Sequence, residues 1–108
     1  MDKSITFIEK KFDIHNRYWA EDDLWNQMFI RQVLAHFEKK LRVRGFVFLN
    51  DVYDELGLPM TKQGFISGWL YDENDKSILW DISEPNSEGE IKITFISRKD
   101  ILDVLPEE

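Results

Sequence analysis

The chain has 108 residues, 43% hydrophobic, 14% aromatic and 32% charged, with no Cys and a formal charge of -7. The length suits one domain, residues 1–108, with an ordinary globular core, and the lack of Cys excludes a disulfide framework, thiolate metal ligation and a cysteine nucleophile. No apolar run approaches the roughly 18 residues that cross a bilayer, and the opening MDKSITF lacks the basic-then-apolar layout of a secretion signal, so the expected location is the cytoplasm, away from membranes.

In chain order, residues 4–12 place Ile5, Ile8 and Phe12 at helical spacing behind Ser4 as an N-cap, which predicts a short helix; the alternation of Ile5 and Phe7 would also suit a strand. The linker FDIHNRYWAEDD follows, with a turn at Asn16 and with Tyr18 and Trp19 over the core. From Asp22 to Arg44 the signal is strongest. Trp25, Phe29, Ile30, Val33, Leu34, Phe37 and Leu41 recur at three- and four-residue steps, acids open the segment, bases close it and Gly45 stops it. FVFL reads as a short extended segment. Asn50 then caps a second helix, NDVYDELG, with Val52, Tyr53 and Leu56 inward, ended by Gly57, Leu58 and Pro59.

The remainder predicts three antiparallel strands, 65–71, 77–82 and 91–96, because apolar residues alternate with period two between the turn-rich stretches DENDK and SEPNSEGE. Ser97 and Asp100 at capping-box spacing suggest a last short helix before Pro106. The expected fold class is α+β, two main helices packed on a three-stranded antiparallel meander. The alternative is a winged helix-turn-helix, with Thr61 capping a recognition helix over about 61–70 and a wing at 84–90. Gly64 and Gly68 weaken such a helix by roughly 1 kcal/mol each, and Glu84, Glu88 and Glu90 give the wing the wrong sign for phosphate.

The stretch LNDVYDELGLPMTKQGFISGW, with Leu49, Asn50, Tyr53, Leu56, Gly57, Thr61, Gly64, Gly68 and Trp69 in order, resembles a motif of uncharacterised small proteins encoded by phages and prophages of Gram-positive bacteria. The resemblance covers about a fifth of the chain. It implies a mobile-element origin and no known activity.

Neither enzyme chemistry nor a cofactor or metal is expected. His15 and His36 lack a second ligand at i, i+4. The loop Asp72, Glu73, Asn74, Asp75 lacks the Gly and distal Glu of a calcium loop, and no nucleophile elbow or phosphate loop is present. Charge is the informative feature. Residues 1–44 carry nine Lys or Arg against seven Asp or Glu, whereas residues 45–108 carry five against fourteen. An acidic half repels phosphate, which argues against direct nucleic-acid binding, and favours encounter with a basic surface. The expected function is a non-enzymatic phage accessory protein that binds a protein partner with a basic surface, an inhibitor of a host defence nuclease being one example; the rivals are the winged-helix regulator and a phage structural or assembly component. The expected partner-binding residues are Asp51, Asp54, Glu55, Asp72, Glu73 and Asp75, with Trp69 and Tyr71 as aromatic anchors. Oligomeric state is not specified by the sequence.

Overall fold

The structure, a computed structural model, describes residues 5–75 and 78–102. The chain runs β1 (Ile5–Phe12), α1 (Asp23–Arg44), β2 (Phe46–Phe48), α2 (Leu49–Glu55), a 3-10 turn (Gln63–Phe65), β3 (Gly68–Leu70), β4 (Trp80–Ile82) and β5 (Ile91–Arg98). It is an α+β fold. Ser4, Ser77 and most of the expected last helix lie outside the described residues.

Among the described residues, five strands form one antiparallel sheet, in place of the three-stranded meander. β5 organises it. β1 pairs along one whole edge of β5, from Ile5 opposite Arg98 to Phe12 opposite Ile91. The other edge is shared: β4 takes Ile93 to Phe95, and β3 reaches Arg98 through Gly68. β3 pairs mainly with β2, so the consecutive strands β3 and β4 are not partners.

Residues 5–12 are therefore a strand and not the expected helix. Pairing over eight residues with β5 satisfies the backbone groups on one side of β1, and it decides between two local patterns that the sequence supports almost equally. Segment 65–71 also differs, since only Gly68–Leu70 is extended and Phe65 ends a 3-10 turn, exposed. The helix over 61–70 that a winged helix-turn-helix requires does not form. β5 continues through Ser97 to Arg98, which removes Ser97 from the capping role.

α1 follows the expected limits closely. The Asp22 carboxylate accepts the Trp25 N–H at 3.1 Å, and Gly45, at φ 92°, donates its N–H to the Leu41 carbonyl at 2.8 Å. Ile30, Leu34, Phe37 and Leu41 are buried with Phe12, Val47, Val52, Tyr53, Trp69 and the inward face of β5, Ile91, Ile93 and Phe95, in one apolar cluster. Each such side chain contributes roughly 1.5–3 kcal/mol by leaving water. Asn26, fully buried in the same helix, holds the linker by accepting the Ala20 N–H at 2.9 Å and donating to the Ala20 carbonyl at 2.7 Å.

α2 begins without a side-chain cap. Asn50 is inside its first turn, and Leu49 gives its N–H to the Ser67 carbonyl at 2.8 Å. The Asn50 amide instead bridges to Thr61, donating to its carbonyl at 2.8 Å and accepting its N–H at 3.0 Å.

Candidate functional site: a cleft between α1 and β4

On the solvent side of α1, Arg31, Ala35, Glu38 and Arg42 follow one another at steps of four, three and four, which aligns them in a single stripe. β4 lies across from this stripe. Its Trp80 packs edge-on against Trp69, with ring centroids 5.2 Å apart. Two adjoining hollows of about 390 and 320 Å³ lie between helix and strand and share Glu38 and Trp80 in their walls. The loop after β3 closes one end. The Tyr71 N–H donates to the Gly45 carbonyl at 2.9 Å, tying the loop to the end of α1, and a tight turn follows in which Asp72 accepts the Asn74 N–H at 2.9 Å and the Asp75 N–H at 3.0 Å.

The expected partner-binding residues separate into groups. Tyr71, Asp72, Glu73 and Asp75 all line the larger hollow. Asp51, Asp54 and Glu55 are exposed on α2 and line neither hollow. Trp69 is 4% exposed, and its indole N–H is donated to the Ile96 carbonyl at 2.8 Å, so its ring belongs to the core; it also lines a third hollow of about 310 Å³ behind the loop. Sequence reasoning missed the α1 side of the cleft, together with Asp81 and Ile82. The i, i+4 stripe was its only signal, and an exposed polar stripe is what any surface helix presents.

The motif residues have internal duties. Leu49, Tyr53 and Leu56 are buried. Thr61 accepts the Gly64 N–H at 2.9 Å and so caps the 3-10 turn. A Cβ on Gly64 would overlap the Asn50 amide, and one on Gly68 would overlap the Val47 carbonyl oxygen, where β3 and β2 approach. Burial pushes the Tyr53 phenol up to about 12; the Lys10 ammonium lies 5.3 Å from its ring centroid.

His15 sits in an exposed turn and His36 lies edge-on to Phe37. Among the described residues, no three His, Asp or Glu side chains gather as a metal site. None of the helices among them is long and apolar enough to cross a membrane.

Fold and site together define a small α+β protein whose acidic loop borders an open, helix-walled cleft. The chain belongs to the family of unknown function DUF6353, which matches residues 3–105. No curated protein and no solved structure matches it.

Proposed function

We propose that this protein is a non-enzymatic binding module that docks a basic surface of a protein partner against its cleft. The observation that carries the reading is the arrangement of Tyr71, Asp72, Glu73 and Asp75 along a groove that also holds Trp80. Carboxylates beside aromatic faces suit Lys and Arg, which gain from both charge and ring quadrupole. The resemblance of residues 49–69 to phage and prophage proteins supports a mobile-element origin. A nucleic-acid-handling defence protein of the host, which presents a basic surface, is a partner of the right chemistry, and the role is then inhibition. The whole encounter would be accelerated by long-range attraction that salt screens.

The test is affinity capture from a Gram-positive host lysate, followed by binding of the purified partner at several salt concentrations. It compares the wild type with two neutralised variants, Asp51→Asn/Asp54→Asn/Glu55→Gln and Asp72→Asn/Glu73→Gln/Asp75→Asn. The cleft variant is expected to lose at least tenfold in affinity and the α2 variant less. Capture unchanged by both variants and by salt counts against the reading.

A second reading, an assembly component, draws on β1. This eight-residue strand lies at the edge of the sheet and leaves Phe7 71% exposed, a feature that invites pairing between chains. Light scattering that returns only the monomer mass over a wide concentration range rejects self-assembly.

A further inference from the structure

Among the described residues, β4 pairs along one side only. In its register with β5, Trp80 faces Phe95 and Ile82 faces Ile93. The flanking bonds run from the Ile96 N–H to the Leu79 carbonyl and from the Ser83 N–H to the Lys92 carbonyl. Antiparallel bonds alternate along a strand, so Leu79, Asp81 and Ser83 turn their backbone groups toward β5. Those of Trp80 and Ile82 point the other way, where no strand pairs with β4 among the described residues. The hollows between β4 and α1 adjoin this open edge. From Arg31 to Arg42 the helical wall runs about 16 Å at 1.5 Å per residue, which accommodates about five residues of extended chain at roughly 3.3 Å each.

The geometry points to β4 as an acceptor strand: an extended segment of the protein partner adds to its open edge and lies in the cleft against α1. This mode of binding rests on the basic-partner reading above. Charge selects the occupant. Among the described residues, Glu38, Asp72, Glu73 and Asp81 outnumber Arg31 and Arg42 around the hollows, so the segment carries Lys or Arg. Pleating sets their spacing. Residues opposite Trp80 and Ile82 turn toward α1, where the small Ala35 leaves room, and the residue between them shares the face of Asp81, where Lys or Arg forms a cross-strand ion pair. Backbone bonds supply affinity while alternate side chains supply specificity.

The experiment uses the full chain and three peptides: acetyl-TKVKVKT-amide, a twin with Glu for every Lys, and a twin of the first with Pro for both Val. At low salt the first peptide is expected to bind and to slow amide exchange at Trp80 and Ile82 at least tenfold. The Pro twin, equal in charge but unable to complete a ladder, is expected to bind at least tenfold more weakly. Ala35→Trp, on the exposed side of α1, fills the groove and is expected to weaken the first peptide at least tenfold with an unchanged melting curve. Equal binding of the Pro twin, or unchanged exchange at Trp80 and Ile82 in the complex, overturns strand addition and leaves the acidic-surface reading in place. No binding of either basic peptide, or equal binding of the Glu twin, overturns both.

Discussion

Residues 49–69 and residues 71–82 are neighbours in sequence and opposites in how they use polar groups. In the first stretch the Asn50 amide, the Thr61 hydroxyl, the Gln63 amide and the Ser67 hydroxyl all bond within the protein, and Gly64 and Gly68 exist to let other groups come close. In the second, Tyr71, Asp72, Glu73 and Asp81 line hollows that face solvent. The difference separates two reasons for a distinctive sequence. A dense motif of Asn, Gly and Trp here reports how the chain packs on itself, partly through bonds to the distant Ile96 and Lys99, whereas the groups available to a partner sit in a stretch with no motif. Substitutions in 49–69 are accordingly expected to act on stability and substitutions in 71–82 on binding.

The largest expected effect is at Gly68. Its added methyl group would meet the backbone of Val47 and Phe48, which cannot swing aside as a side chain can, so Gly68→Ala is expected to lower unfolding free energy by about 3 kcal/mol or more, or to prevent folding. Urea denaturation measures it. A cost below about 1 kcal/mol would mean that β2 and β3 tolerate separation.

Next comes the pair Asn50 and Gly64. Asn50→Ala leaves the Thr61 N–H and carbonyl without their partner, at a cost of about 1–3 kcal/mol. Gly64→Ala alone drives its methyl group into the Asn50 amide. Removing that amide first opens the space, so Gly64→Ala is expected to cost at least about 1 kcal/mol less in the Asn50→Ala background. Additive costs in the four-variant cycle would show that the two residues act separately.

These residues also mark where sequence reasoning stopped. The limits of α1 were legible because Asp22, Gly45 and the apolar stripe all act within a few residues of one another. β1 was misread because Ile5, Ile8 and Phe12 suit a helix locally, and only pairing with β5, distant in the chain, reveals that Ile8, Lys10 and Phe12 share one face. Asn50 has the composition of a cap, but its partner Thr61 is eleven residues away. In the candidate site, Tyr71, Asp72, Glu73 and Asp75 were legible as an acidic loop with an aromatic neighbour. Arg31, Ala35, Glu38 and Arg42 were not, since a stripe on a helix becomes a wall only when β4 is placed opposite it. Trp69 was read as a partner anchor because ring size alone does not distinguish a hot spot from a core residue.

A third effect is set by pH. Tyr53 is 1% exposed, and burial pushes its phenol from 10.0 up to about 12. The neutral phenol is therefore favoured in the folded state. The contribution is fully present below the unfolded value, falls as pH rises above about 10, and is gone once pH passes the folded value of about 12. Stability of the wild type is expected to fall across this window more steeply than that of Tyr53→Phe, with tyrosinate absorbance rising as the protein unfolds. Parallel pH profiles for the two proteins would remove Tyr53 as a source of alkaline lability.

The smallest expected effect on stability is at the cleft, and it is the sharpest test of the division. Asp72→Asn retains an oxygen to accept the Asn74 N–H, and Glu73 is exposed, so the pair Asp72→Asn/Glu73→Gln is expected to change unfolding free energy by no more than about 0.5 kcal/mol. The same pair removes two charges beside Tyr71. Affinity for a basic partner is expected to fall at least tenfold at low salt, and less at high salt where screening already weakens the wild type. Stability and binding then move independently, which the motif residues do not allow. A loss of stability of about 2 kcal/mol in this variant would show that the loop carries part of the fold, and the contrast between the two stretches would fail on the side where it matters for function.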